Sequence, residues 1–565
     1  MRFWNALTNS TSHGVLHIWN GDEFEHTPWR DVARDSLAMA AALRRRGVRP
    51  GTRVAAILTN TPDTVRGLLA VWLAGGAVAS LPLPTRGQST EEYGRQLTAL
   101  AARLDPVLLL ADDWIAPLLP AELSGHLPVC GWSSLRGTGA GAGAGTTAGI
   151  EPSPPGDDEL AFIQYSSGST STPKGCALTT RSIEEQLRII LHLTGGRPGA
   201  DTVASWLPLS HDMGMFGCLL YSWAYDFDFV LSTPERFGMA PRTWFRDMSE
   251  YEVTMTAGTS TAVYLAARAQ GNGRLPRELR LRAAVIGAER VEWDTLAAAT
   301  EKFRPFGLSD TAFQPAYGMA EATLAVTGKP WDQRPKALTV DGSALVEGEV
   351  RQVEPGHPLA TRLVSNGVPL PGVRVTTDAP ASSSPGVAEI RVSSPSLAEG
   401  YYADPRRTAD RFENGRLRTG DLGFLRDGEL YVMGRADDML SVGGRKVYAS
   451  EIESAVDSLK NVRKGCAAVI DAGGGSGSGN GASAPSPSRL VLMLEPQGNP
   501  RDFRPIADAA ASLAMDKAGV ALAECLFLPR GVLPKTPSGK IQRFRCRALL
   551  DSADSLQPLA RVSLS

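Results

Sequence analysis

From Val54 the chain runs through an apolar stretch (Val54 to Leu58), a turn at Asn60-Thr61-Pro62, a helix-like segment through Trp72, the pair Gly75-Gly76 and a second apolar stretch ending at Leu81-Pro82. That order reads as strand, helix, strand. Strands joined by a helical crossover lie parallel, and parallel sheets need cover on both faces, so the pattern calls for a layered α/β architecture. The alternation returns around Leu160 to Gln164 and again around Ala283 to Ile286. The fold predicted is α/β, with mostly parallel, helix-covered sheets. At 565 residues the chain exceeds the roughly 250 to 300 residues at which one core stops growing, so two or more lobes are expected.

Charge narrows the function. With 58 basic and 60 acidic residues the net charge is -2, which gives no global field for a phosphate backbone, and no nucleic-acid partner is expected. Hydrophobic residues at 43% and charged residues at 21% fit a globular chain, and no membrane span is expected. The start, Met1-Arg2-Phe3-Trp4-Asn5-Ala6-Leu7-Thr8-Asn9, is broken by polar residues before an apolar segment of about 7 to 15 residues can form. Export is therefore not expected. Cys130, Cys176, Cys218, Cys466, Cys525 and Cys546 are scattered without C-x-x-C spacing, which points to a reducing cytoplasm. The histidines are equally dispersed, so no transition-metal site is expected. Gly137 to Pro155 and Gly473 to Ser488, rich in Gly, Ala, Ser, Thr and Pro, read as surface loops of the large and small lobes.

The richest chemistry lies in Tyr165-Ser166-Ser167-Gly168-Ser169-Thr170-Ser171-Thr172-Pro173-Lys174-Gly175, directly after the apolar run Leu160 to Ile163. A strand feeding such a loop gathers backbone N–H groups, hydroxyl donors and one cation in a small volume, which suits a polyphosphate. Its spacing is not that of a Walker A loop. Downstream follow Trp206-Leu207-Pro208-Leu209-Ser210-His211-Asp212-Met213-Gly214, Ala316-Tyr317-Gly318-Met319-Ala320-Glu321-Ala322-Thr323, Arg418-Thr419-Gly420-Asp421-Leu422-Gly423, Gly434-Arg435-Ala436-Asp437-Asp438 and Pro534-Lys535-Thr536-Pro537-Ser538-Gly539-Lys540-Ile541. In this order the series resembles the motifs of the acyl-adenylate-forming superfamily of AMP-dependent synthetases and ligases, over nearly the whole chain.

The resemblance implies an ATP-dependent ligase that activates a carboxylic acid as its acyl-AMP with Mg2+. It implies a large lobe over residues 1–433, a hinge at 434–438 turning on Asp437, and a small mobile α+β lobe over 439–565 that carries the catalytic Lys540. Ser166, Ser167, Gly168, Ser169, Thr170 and Lys174 would hold the phosphates. Tyr317, with Gly318, Met319 and Ala320, would lie against adenine, and Gly287-Ala288-Glu289 would run along its other edge. Asp421 would accept from both ribose hydroxyls, as an ionised carboxylate can, with Arg435 donating to the same sugar. Glu321 would hold Mg2+, a hard cation that prefers oxygen ligands. His211 would sit beside the acyl carboxylate.

Two stretches resemble the fatty acyl-AMP ligase branch most: Ser205 to Gly214, and the insertion-like run Leu338 to Gly348 before Leu363 to Gly367. That resemblance implies transfer of a fatty or aryl acyl group to the phosphopantetheine of an acyl carrier protein, in secondary metabolism. Coenzyme A as acceptor, activation of nitrite by a diazotase and a noncatalytic nucleotide sensor are the other readings. Ser171, Ala449 and Asp437 depart from the usual residues of that branch. The aromatic segment around Met213, Phe216 and Trp223 is expected to shorten the acyl pocket.

Overall fold

The computed structural model describes residues 4, 6, 12–84, 88–120, 123, 125, 127–136, 155–166, 173–378, 386–442, 445–473, 489–536, 539–551 and 557–564. The strand, helix, strand unit predicted at Val54 is present. Arg53–Ile57 pairs in parallel with Ala77–Leu81, and the helix Pro62–Leu73 connects them. That helix starts where the sequence signals it: Thr61 accepts a hydrogen bond from the Thr64 N–H, and Pro62 occupies the first turn, where a missing N–H costs nothing.

These strands belong to a six-stranded sheet ordered Val129–Gly131, Leu108–Ala111, Arg53–Ile57, Ala77–Leu81, Leu160–Ser166 and Lys174–Thr179, the last pair antiparallel. A nine-stranded sheet stands against it. Its middle strands, Phe313–Gly318, Ala283–Ile286, Met255–Gly258, Thr202–Ser205 and Asp228–Leu231, run parallel. The two sheets share one core. Phe162 of the first meets Phe216, at 5.3 Å between ring centroids, and Trp72 closes over Phe162 while donating from Nε1 to the Ala161 carbonyl. Burying one such aromatic stabilises the fold by about 1.5–3 kcal/mol.

A five-stranded antiparallel sheet follows, in which Arg416–Arg426 and Glu429–Arg435 form a hairpin that sets Asp421 directly across from Arg435. The insertion-like stretch folds as a ribbon, Ala337–Asp341 against Ala360–Val364, with the short helix Gly342–Val346 between them. Its apolar side packs on Phe424, Tyr431, Met433 and Tyr448. Residues beyond 447 build separate cores around the strands Val462–Asp471, Leu490–Pro496 and Glu524–Phe527 and the helices Ala449–Val456 and Arg504–Ala518. The loop stretches read at Gly137 to Pro155 and Gly473 to Ser488 fall almost wholly outside the described residues. Among the described residues no helix is long and apolar enough to cross a membrane.

The carboxy-terminal unit docks on the larger one through polar contacts. Lys464 pairs with Glu292 at 2.5 Å, Ser454 Oγ donates to the same carboxylate at 2.9 Å, and Arg545 reaches Glu92 at 2.7 Å.

Candidate functional site

A cavity of about 860 Å³ opens at the carboxyl ends of the parallel strands, between the larger unit and the carboxy-terminal one. Ligands of open α/β sheets bind at that edge. On one wall the strand Phe313–Gly318 delivers Tyr317, whose Oη donates to Asp421 Oδ2 at 2.6 Å. Arg435 Nε stands 3.4 Å from Asp421 Oδ1 and makes no hydrogen bond among the described residues, so this N–H is a spare donor beside the carboxylate. Burial raises the Asp421 pKa, against the opposing pull of Arg435 and the Tyr317 hydrogen bond. Gly318 must be glycine: a Cβ there would lie 1.9 Å from the Leu324 carbonyl oxygen.

Gly287-Ala288-Glu289 follow the strand Ala283–Ile286 and line the same wall. Ala288 holds φ +66, a conformation costing a non-glycine residue about 1–3 kcal/mol and concentrated at functional sites. Glu289 is tied down by the Thr261 N–H at 2.5 Å, and burial raises its pKa. Met319 and Ala320 enter the short turn that carries Glu321. Tyr401 donates to Glu321 Oε1 at 2.8 Å, and the other carboxylate oxygen accepts no hydrogen bond among the described residues. That leaves one hard oxygen donor open to the cavity.

Lys174 begins the strand Lys174–Thr179, its ammonium 5.6 Å from the centre of the Tyr401 ring. Burial lowers its pKa; Glu321 pulls it back up, and Arg411, Arg435 and Arg407 push it down again. Lys174 and Arg435 both line the cavity with Glu321, and a pair of cations there favours a multiply charged anion. Ser166 closes the strand before this point, and Ser167, Gly168, Ser169 and Thr170 lie outside the described residues.

On the facing wall His211 Nδ1 lies 2.5 Å from Asp212 Oδ1. Burial disfavours the Asp212 anion, but His211, Lys540 and the Met213 N–H together hold its pKa below the usual carboxylate range. Lys540 comes from the carboxy-terminal unit. The bridge between Lys535 and Ile541 folds its loop back, Thr536 N–H donates to the Lys540 carbonyl at 2.8 Å, and the Lys540 N–H donates to Thr536 Oγ1 at 3.0 Å. Its charge acts on both Asp212 and Asp421. Asp437 lies in the exposed turn Ala436–Asp438, outside the cavity wall.

The family of AMP-binding enzymes matches residues 9–402. The chain belongs to that family. This AMP-binding enzyme is an AMP-forming ligase, with the two-lobed α/β fold of adenylate-forming enzymes. It is 32% identical over 432 residues to the medium-chain-fatty-acid–[acyl-carrier-protein] ligase JamA of Moorena producens, covering 72% of this chain and 70% of the relative. It is 30% identical over 441 residues to the long-chain-fatty-acid–AMP ligase FadD32 of Mycolicibacterium smegmatis, covering 71% and 70%. A solved fatty acyl-adenylate ligase, from work on the enzymes of E. coli and L. pneumophila, superposes with a TM-score of 0.86 at 25% identity over 98% of both chains.

One expectation needs correction in this AMP-binding enzyme. Met213 lines the cavity, but Phe216 and Trp223 do not. Phe216 packs on Phe162 and Trp223 on Trp29, 5.0 Å between ring centroids, both inside the core. The residues of this segment that line the cavity are Met213, Gly217 and Tyr221. The cause is a π-helical stretch, Met215–Leu220. In a regular α-helix, positions eight apart stand about 80° round from one another; the wider turn lets Met213 and Tyr221 share a face. Tyr401 also escaped sequence reasoning, since Gly400-Tyr401-Tyr402 belongs to none of the motifs. A tyrosine pair after a glycine was the sole signal.

Proposed function

We propose that this ligase activates a fatty or aryl carboxylic acid with ATP and Mg2+, and passes the acyl group to the phosphopantetheine thiol of an acyl carrier protein in the cytoplasm. In the first step a carboxylate oxygen attacks the α-phosphorus of ATP, forming the acyl–phosphate bond as the bond to pyrophosphate breaks. In the second the thiol sulfur attacks the acyl carbonyl, and AMP leaves. The observation that carries this reading is the position of Lys540. It lines the cavity together with Asp212 on one wall and Asp421 on the other, which supplies an ammonium for the negative charge that gathers on the α-phosphate, and stabilising that charge is the larger part of such catalysis.

Each neighbour then has a role. Asp421 accepts from the ribose hydroxyls and Arg435 donates to them, while Tyr317, Gly318, Met319 and Ala320 flank adenine opposite Gly287, Ala288 and Glu289. Lys174 and the loop Ser166 to Thr170 take the phosphates. His211 keeps Nδ1 against Asp212 and the Met213 N–H, which leaves Nε2 for the acid's carboxyl group. The oxygen donor of Glu321 fits Mg2+, which neutralises phosphate charge when bound. Residues 1–433 then act as the large lobe, and 439–565 turn about Asp437 between the two steps. The carrier protein as acceptor is supported by the likeness to JamA, a medium-chain-fatty-acid–[acyl-carrier-protein] ligase, and by the insertion-like ribbon.

The test is pyrophosphate release with a panel of fatty and aryl acids, for the wild type and Lys540→Ala. Acid-dependent release that the substitution lowers by about 10²–10³-fold is expected. Acyl transfer to a phosphopantetheinylated carrier protein is expected to outrun transfer to coenzyme A. Release that requires nitrite and an aryl amine, or none with any acid, would overturn the reading.

A further inference from the structure

One arm of the cavity leaves the nucleotide walls and runs under the helix Thr180–Thr194, along the strands Thr202–Ser205 and Met255–Gly258. Its sides are apolar and small, with Gly217, Ala257, Ala316 and Ala325 giving width. We propose that Tyr221 is the floor of this arm and fixes the length of the acyl group, so that the enzyme takes short and medium chains or compact aryl acids and excludes long-chain acids. The proposal rests on the adenylation reading above and names the substrate class of that same site.

The arm closes where Tyr221, Thr194, Val203 and Met255 meet, all 4% exposed or less. From Ala257 beside the nucleotide wall to Met255 at the floor it follows two steps of the strand, about 7 Å. The floor is held rigidly. Thr194 Oγ1 donates to the Ile190 carbonyl at 3.0 Å, so Tyr221 Oη is the donor in its 2.7 Å bond to Thr194. The Met255 sulfur lies 3.9 Å from the same hydroxyl. Behind it stands Gly196, where an added Cβ would meet Tyr221 Oη at 2.1 Å. The ring therefore has neither a free rotor nor space behind it, and a longer chain would have to break this bond to pass. The π-helical stretch is what turns Tyr221 into the arm, in keeping with the frequent occurrence of such turns at functional sites.

The experiment measures kcat/KM for pyrophosphate release over the even-numbered acids from butanoic to palmitic, in the wild type, Tyr221→Ala and Gly196→Ala. In the wild type, kcat/KM falls at least tenfold from octanoic to palmitic acid. Tyr221→Ala raises the palmitic-to-octanoic ratio at least tenfold, and Gly196→Ala, which pushes the ring into the arm, shifts the optimum to shorter acids. Should Tyr221→Ala fail to fold, the direction of the Gly196→Ala shift decides. Equal use of octanoic and palmitic acids by the wild type, or one length profile for all folded variants, overturns the proposal while leaving adenylation intact. Absence of release with every acid overturns adenylation and the proposal together.

Discussion

Tyr317 and Asp421 stand 104 residues apart in the chain and meet at 2.6 Å, Oη to Oδ2, across the cavity wall. The same carboxylate faces Arg435 in the hairpin register. The phenol thus orients an anion that burial alone would tend to protonate.

This pairing has a measurable consequence for ATP. A hydrogen bond to a charged group contributes about 1.5–3 kcal/mol, so Tyr317→Phe is expected to raise the KM for ATP by about 10-fold or more with kcat less affected. Asp421→Asn loses the charge as well and is expected to lower kcat/KM for ATP by more than the phenylalanine variant does. Because the Asp421 pKa is raised, wild-type kcat/KM for ATP should decline on acidification at a pH above the range of an exposed aspartate. Steady-state pyrophosphate release against ATP and pH checks all three, and an unchanged KM in Tyr317→Phe would remove the role given to the phenol.

Glu292 on the larger unit receives both Lys464 and Ser454 from the carboxy-terminal one, and those contacts favour its anion against burial. Removing Lys464 leaves a partly buried carboxylate without its cation, in the arrangement that brings Lys540 to the cavity. Lys464→Ala is expected to slow formation of the acyl-adenylate by about 3- to 10-fold, with thiol transfer from preformed adenylate changed less. The partial exposure of the pair keeps the figure well below that for a fully buried one. Single-turnover measurements of each half-reaction separate the two effects; equal losses in both would sink the idea.

Asp457 gives a pH signature. Burial pushes its pKa up to about 7, eased by the Gly465 N–H and the nearby Lys464, and raised further by Glu292. An acid whose folded pKa exceeds its unfolded value, near 3.9, binds more protons when folded, so its ionisation costs stability as pH rises between the two values. The cost is absent below about pH 4 and complete above about pH 7. Asp457→Asn should therefore melt higher than the wild type at pH 8 and close to it at pH 4. A Tm difference that does not grow with pH would contradict the assignment.

Sequence periodicity carried the fold far because strand and helix signals are local. The turn at Asn60-Thr61-Pro62 contains its own cap and proline, and the parallel pair it joins was legible from one window. The convergence of Tyr317, Glu321, Asp421, Arg435 and Lys540 on one cavity was legible for a different reason: each sits in a short motif whose order along the chain carries the resemblance. What escaped depends on distance or on irregular backbone. Tyr401 reaches Glu321 from 80 residues away, and no local pattern announces such a contact. Phe216 and Trp223 were expected in the pocket on their aromatic character, but the π-helical stretch decides which side chains face the cavity. Glu292 and Lys464 find each other only when two units dock, 172 residues apart.

Arg543 lies three residues beyond Lys540 and grips Asp438 at 3.0 Å while also holding Glu453. Asp438 is the immediate neighbour of Asp437. The guanidinium therefore works like the web of a crank, tying the turn at 436–438 to the segment that carries Lys540, so the place of that ammonium is coupled to the conformation of the turn.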